Sequence, residues 1–558
     1  MKPALAVASP IALSLCLVAC VGSAPTLVGG EDSGADTSVA DGSHPKQGDS
    51  GADAKKTSDS GSDALVHPDV FVGHDAGQEQ DATPDSGGGT DAANSCTTAP
   101  TTDYYVNAAT GVDTNSGGGT ACAFKTISAA LTASAGASGD NSKIHVAAGT
   151  YGAGETFPIV VNHGRSLLGA GAGTTSLQGS SAASVGAGDA GSFLQTGAYF
   201  VTMEAGDVIG GTTDFGATTI SGITLLPAAA VTSPTANYLG LTCVVGNGPN
   251  TGTSPPLPPA NLILTDLTVG PNFDTGVIIG SEPTLKTACN AVVTGSTFTG
   301  DNNGLVNGAC GTTNPVSSWP SAAVGTKAAG SNNNTFTDCK IDVFGEGCGS
   351  ALSVYGNNFS SGYRGIVLIS GAQYFEIIDN TFGGSGTTTS TYPMGVGVQT
   401  SGSVTLSKLN GNTFSYIAES SGADTATSGT TGFAVVLANV LQAQGNIIHD
   451  NDNGVYVEAA PPSTFDFSSD SSASNANQIY CNSKLPSASG VGFDLTLAYA
   501  GGSELNFAGN VWDHSTPSTS ASLTTSTNGT DVVTGTSGGA VLSGSTTLST
   551  ACATARVH

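Results

Sequence analysis

The chain has 558 residues, 42 acidic against 14 basic, for a formal net charge of −28. That balance excludes a general nucleic-acid binder, which needs a basic stripe. Its 11 cysteines include no CxxC pair, which argues against a zinc ribbon or a thioredoxin-like site.

The N-terminus reads as an export signal. Met1-Lys2 precedes an apolar stretch from Ala4 to Ala19, broken only by Ser9, Pro10 and Ser14. A short cationic end before about 15 apolar residues is a secretory pattern, too short to span a bilayer as a mature helix. Leu17-Val18-Ala19-Cys20 resembles a bacterial lipobox. The resemblance implies that residues 1–20 are a signal and that Cys20 carries the lipid. Two or three acyl chains hold stably because each buried methylene adds about 0.8 kcal/mol. Val21 after the cysteine implies outer-membrane or cell-surface sorting through that anchor. Ordinary cleavage after Gly22-Ser23-Ala24, with full secretion, is the alternative. Later segments lack 18 consecutive apolar residues, so no further span is expected.

Residues 21–95 follow as a tether. Fourteen acids lie between Glu31 and Asp91, in a stretch of Asp, Gly, Ser and Ala whose one aromatic is Phe71. Such a composition cannot bury enough apolar surface to offset its ordering entropy, and disorder is expected. A flexible tether of this length reaches on the order of 50 Å. Its carboxylates do not recur at a calcium-loop spacing. Beyond it, Cys96–Cys122, Cys289–Cys310 and Cys339–Cys348 are the disulfides that proximity suggests in an oxidising compartment. The odd count of later cysteines leaves at least one thiol free or inward-facing.

A front signature occupies residues 104–169. It runs Tyr105-Val106-Asn107, Gly111, Asp113, Gly117, Phe124-Lys125-Thr126-Ile127, then Ala130 and Leu131. Ile144-His145-Val146-Ala147, Gly149-Thr150-Tyr151, Glu155-Thr156-Phe157-Pro158-Ile159 and Leu167-Leu168-Gly169 complete it. This order of motifs resembles the start of the bacterial domain-of-unknown-function 1565 family, which is similar to pectin lyases in fold. The resemblance implies a right-handed β-helix and a surface location, and no reaction. The chain departs from it at Cys122-Ala123, where the family carries a proline, so a disulfide would fix that turn instead. Thr126 to Ala135 predicts a short helix capped by Thr126, with Ile127, Ala130 and Leu131 on one face and Gly136 at its end. A solenoid needs a cover for its first coil, and this helix is the candidate; a surface helix at its side is the alternative.

The rest of residues 96–558 predicts an all-β, right-handed parallel β-helix. Asn334, Asn357, Asn380, Asn412, Asn446 and Asn510 each stand two residues before a large apolar side chain. Gln478-Ile479-Tyr480 fills a remaining slot, and Ser296-Thr297-Phe298 is an earlier copy. The apolar residues Phe298, Phe336, Phe359, Phe382, Phe414, Ile448, Tyr480 and Trp512 are 38, 23, 23, 32, 34, 32 and 32 positions apart. A bare coil of three short strands needs about 23 residues, so longer intervals carry inserted loops. Asn tolerates a left-handed corner. Its amide can also bond the equivalent Asn about 4.8 Å above and below. The hand follows from the right-handed crossover rule.

Loop length then varies after the large apolar residue. Phe359 to Gly365, Phe382 to Gly395, Phe414 to Gly432, Ile448 to Gly454 and Tyr480 to Gly490 are 6, 13, 18, 6 and 10 residues. Insertions at one corner would stack into one edge, where a groove would form. The candidate ligand-binding residues at that edge are Tyr392, Tyr416, His449, Asp450 and Asp452, with Tyr480 at the edge or in the core. Asp450, Asp452 and Asn453 could hold Ca²⁺, a polar turn being the plainer reading. Asp513-His514 should lie two coils from that cluster.

Lys340 and Arg364, near Asp338, Asp342 and Glu346, form either a charged patch or ordinary surface ion pairs. Gly535-Thr536-Ser537-Gly538-Gly539 matches the nucleophile pattern without its strand-turn-helix context, and it is set aside. No other cofactor and no dedicated metal site is expected. The reading that fits best is a non-catalytic, lipid-anchored β-helix binding a polysaccharide or another extracellular polymer. A polysaccharide lyase or hydrolase in the same groove, and a structural or adhesive rod, are its rivals.

Overall fold

The computed structural model describes most residues from Cys96 to Thr547, with longer undescribed segments at 180–200, 205–216, 245–259, 310–320, 384–395, 418–432, 458–466, 483–491 and 521–529. The signal, Cys20 and the tether lie outside the described residues. Among the described residues no helix is long and apolar enough to cross a membrane.

The described chain from Cys96 onward is a parallel β-helix. One sheet gathers 22 strands and a second gathers 13, and every pairing between successive coils is parallel. A coil runs through Tyr374–Ile378, bends, continues as Thr381–Gly383 in the same sheet, and crosses to Val396–Thr400 in the second. It then returns one step higher at Leu406–Asn410. The 23-residue spacing is one bare coil, since Phe336, Phe359 and Phe382 sit in register.

Two columns fill the bend. The rings of Phe298, Phe336, Phe359, Phe382 and Phe414 stack at 4.6–4.9 Å between centroids, nearly parallel and fully buried. These offset aromatic contacts add about 0.5–1.5 kcal/mol each beyond their buried area. Beside them runs a ladder of buried amides. The backbone N–H and the Nδ2 of Asn380 both donate to Asn412 Oδ1, at 3.0 Å each, and Asn412 does the same to Asn446. Each Nδ2 also donates to a strand carbonyl, as Asn412 does to Ile377 at 2.9 Å. The side-chain oxygen and nitrogen of each ladder amide named here therefore have partners, which is what lets them sit in a core.

Three details differ from the sequence reading. The slot around 478 is shifted by one: Asn477 is the ladder member, receiving from Asn446 and donating to Asn510. Ile479 pairs with Ile448 inside, and Tyr480 pairs with His449 on the outer side. Secondly, the ladder asparagines are not themselves left-handed. The residue before them takes that strain: Gly356, Asp379, Gly411 and Gly445 have φ of 65°, 57°, 68° and 67°. Glycine suits this position, and Asp is among the few side chains that tolerate it. Thirdly, a second ladder runs through the next corner, from Ile417 N–H to Asn451, Asn482 and Asp494.

The glycines that open the second-sheet strands have a spatial cause. A methyl at Gly365 would stand 2.9 Å from the Phe382 ring, and one at Gly397 2.7 Å from that of Phe414. The carbonyl of the next strand, 2.5 Å away at Gly365 and 2.7 Å at Gly397, and the phenyl column together occupy the room a side chain would need.

The helix Ile127–Ala135 covers the first coil as expected, with Ile127, Ala130 and Leu131 buried in the same continuous core. Its free N–H groups are all engaged. Thr126 Oγ1 accepts from Ala129, Asp113 Oδ1 from Lys125 and Thr126, and the Glu155 carboxylate from Ile127 and Ser128 at 2.8 and 2.9 Å. Carboxylates there also oppose the helix dipole.

Cys96 bonds Cys122, as proximity suggested. Cys289 instead bonds Cys243, and Cys339 is a free, buried thiol, so the expected Cys289–Cys310 and Cys339–Cys348 pairs do not form.

Replacing Asn412 with Ala removes two acceptor contacts from Asn380 and leaves buried donors unmet. The expected cost is about 2–4 kcal/mol, read as a lower urea midpoint in equilibrium unfolding. Glu155→Ala should cost about 1 kcal/mol, at the helix cap alone.

Candidate functional site

Strand stacking fixes where inserted chain leaves the rod. Thr381–Gly383, Thr413–Ser415 and Gln478–Tyr480 are each followed by an undescribed stretch and then by Val396–Thr400, Phe433–Leu437 and Phe493–Leu497. These flanking strands lie over one another, so the insertions depart from a common corner. The opposite corner varies as well: 11 residues separate Ala309 from Ser321, against 5 between Gly345 and Ala351. Length varies at two corners, not one.

On the outer face beside the first corner, parallel register aligns Ser415, His449 and Tyr480. The His449 and Tyr480 rings stack at 5.2 Å and 6°. Tyr416 meets His449 edgewise at 6.4 Å and 73°, and stays 41% exposed. His449 Nδ1 lies 2.8 Å from Asp450 Oδ2, both partly exposed. Burial first, then the nearby Asp450 carboxylate and Tyr416, push the Tyr480 phenol above its ordinary range.

Of the residues picked from sequence, Tyr416, His449 and Asp450 thus converge. Asp452 does not join them on the surface, being 1% exposed. Asn453 is also buried, and its Oδ1 accepts from Phe493 N–H at 3.3 Å, so Asp450, Asp452 and Asn453 do not form an open calcium loop. Tyr392, His514 and Gly535-Thr536-Ser537-Gly538-Gly539 lie outside the described residues.

Among the described residues, the carboxylates that close to metal-ligand distance are Asp494, Asp513 and Asp531, with one oxygen from each within 4.8 Å of the others. Register places Asp531 directly above Asp494, and Asp513 Oδ2 accepts from Cys481 N–H. Carboxylate oxygens are the kind of hard donor Ca²⁺ takes, and three supply part of the roughly six to eight it needs.

The residues read as either a charged patch or ordinary surface ion pairs do not all gather on one face, Lys340 being exposed and Asp342 buried. Asp342 is fully buried, Glu346 lies outside the described residues, and Arg364 sits 5.4 Å over the Tyr363 ring. A different cluster stands on the outer face of the long sheet. Tyr355 donates to Glu376 Oε2 at 2.5 Å, Lys408 Nζ reaches Oε1 at 2.9 Å, and Lys327 lies 3.8 Å from the carboxylate and 4.8 Å over the Tyr355 ring. The hydrogen bonds from Tyr355 and Lys408 hold the Glu376 carboxyl below its ordinary range. Tyr374, two residues away on the same strand, is 66% exposed. Sequence reasoning missed this cluster because its members are 21 and 32 residues apart. Aligning the coils one strand earlier would have shown Ser353, Glu376 and Lys408 in one row.

Residues 109–310 match the model of the family described as "Protein of unknown function (DUF1565)", in keeping with the front signature. No curated protein matches the chain. Among solved structures, the A-module of the Azotobacter vinelandii mannuronan C-5 epimerase AlgE4 is similar at 12% identity, over 76% of this chain and 93% of that one, with a TM-score of 0.36. The AlgE6 A-module of the same organism gives 14%, 76%, 94% and 0.33. The catalytic domain of a GH87 α-1,3-glucanase gives 10%, 80%, 69% and 0.19. These likenesses concern fold alone.

Glu376 supplies a pH test. A depressed carboxyl stabilises the fold above its unfolded value, and that stability fades as pH falls through the folded value. Carboxyl-carbon NMR should show Glu376 titrating below an exposed glutamate, and Lys408→Ala should move its midpoint upward.

Proposed function

We propose that this β-helix, whose front matches a family of unknown function, binds carbohydrate or another extracellular polymer along the outer face beside the insert corner. The observation that carries the proposal is the column of Tyr416, His449 and Tyr480 in successive coils. Aromatic rings offer flat apolar surface to the C–H faces of a sugar, while their polar edges and Asp450 take its hydroxyls. Repetition at the coil rise suits a ligand that itself repeats. In the same reading the rod is exported and held at the membrane by lipid on Cys20.

Catalysis, as a polysaccharide lyase or hydrolase, has one observation in its favour. The Tyr355–Glu376–Lys408 cluster joins a phenol, a carboxylate and an ammonium group by hydrogen bonds, the kind of set that moves protons. It holds one carboxylate, where glycosidases use two about 5–10 Å apart.

Retention on immobilised neutral and acidic polysaccharides tests the binding reading. Tyr416→Ala with Tyr480→Ala should weaken retention about tenfold, the equivalent of ~1.4 kcal/mol. Unchanged retention in the double variant would refute the column as the site. New reducing ends or unsaturated products that vanish in Glu376→Gln would establish an enzyme instead. Separately, Cys20→Ser should shift the protein from the membrane to the soluble fraction.

A further inference from the structure

The second residue of successive second-sheet strands is Gly276, Gly304, Asp342, Gly365 and Gly397, so between Thr275 and Thr400 a carboxyl interrupts a run of glycines, as Asp494 and Asp531 do in later coils. The Asp342 carboxyl is fully buried inside the wall, and neither of its oxygens makes a well-formed hydrogen bond. One coil below, Asp301 is 2% exposed; its Oδ1 accepts from Phe273 N–H at 2.9 Å and its Oδ2 has no hydrogen-bond partner. The free thiol of Cys339 stands in the same corner, 1% exposed, its Sγ 3.8 Å from the Thr337 carbonyl. Backbone bonds from Lys340 to Asp301 and from Tyr363 to Cys339 stack these turns directly.

Neighbouring glycines make the room. A methyl at Gly362 would stand 2.9 and 3.1 Å from the Asp342 oxygens, and one at Gly276 2.9 Å from Asp301 Oδ2. The titratable and charged groups around Asp342 are Asp338, Cys339 and Lys340 on its own turn, Asp301 below, and Tyr363 and Arg364 above. Among the described residues no cation pairs with Asp342 or with Asp301 Oδ2. Arg364 instead stacks on Tyr363.

Two charges without counterions cannot stay in such a place. Ionisation without a partner is heavily disfavoured there, so the closed coil holds them as neutral acids. Burial pushes the Asp301 carboxyl up to about 8. Burial, then the Asp338 carboxylate, pushes Asp342 well above the ordinary range, and burial with the two acids raises the Cys339 thiol.

We propose that this step of the barrel is a proton-held latch: with Asp301 and Asp342 neutral the coil closes over Cys339, and removing the protons opens it locally and bares the thiol. The direction follows from linkage. A carboxyl raised in the closed state and ordinary in the open one stabilises closure in acid. That advantage is lost from the ordinary carboxylate range, about pH 4, up to the closed-state value. Over that window each acid favours opening about tenfold per pH unit.

Peptide-mapped alkylation of Cys339 in the full chain measures it, from about pH 5 to about pH 8. The labelling rate is divided by that of a cysteine peptide at the same pH, which cancels the reactivity of the thiolate itself. The ratio should climb about a hundredfold per pH unit in the wild type, about tenfold from each acid. Asp342→Asn, which cannot ionise, should lower the slope by about one decade per unit, and Asp301→Asn should do the same if the first variant fails to fold. A flat wild-type ratio, or a folded variant with the wild-type slope, overturns the proposal.

Discussion

The rest of the molecule depends on one interaction, the side-chain amide of an asparagine accepting two N–H groups from the asparagine a coil away. Parallel strands make slanted bonds along their length, and those bonds alone would tolerate a slip of register. A buried amide does not. Displaced by one residue, Asn380 would face Gly411 or Thr413 and lose the amide oxygen that accepts both of its donors in the core. Once the amides are aligned, the phenyl rings two residues further on are aligned too, and so are the outward residues one position beyond. Tyr480 lies against His449 because Asn477 is bonded to Asn446. The candidate binding column is thus positioned by polar contacts on the other side of the same three-residue strands.

Repetition made the fold legible in the sequence. Asn-x-Phe at two intervals of 23 residues gave coil size, strand position and inward direction together. The reading slipped where a coil offered two apolar residues in succession, Ile479 and Tyr480. Choosing the larger one shifted the slot by one residue and left Tyr480 open between edge and core, where it stands on the outer side. The amide was the better guide, because a buried Asn has to be satisfied, whereas a ring can be buried or left half in water.

Sites were less legible, for a geometric reason. In a coiled rod, residues close in sequence spread around one coil, and residues that touch are a coil apart. Nearness along the chain therefore misassigned Cys289, whose partner is Cys243, 46 residues away. It also drew attention to Lys340 and Asp342, one facing out and the other in, and away from Tyr355, Glu376 and Lys408. What sequence could point to was the column beside the variable corner, since Tyr416, His449 and Tyr480 each follow the inward residue of the repeat by one or two positions.

The bare coils between Asn334 and Asn380 have a corollary for how such a rod changes size. Deleting residues 357–379 joins Gly356 to Asn380, and amide would still meet amide and ring would still meet ring across the seam. Whole coils are interchangeable bricks, so the barrel's height is adjustable in increments of 23 residues. Lineages can lengthen or shorten it by unequal recombination without redesigning either internal column, while the lid helix and its disulfide stay untouched at the base.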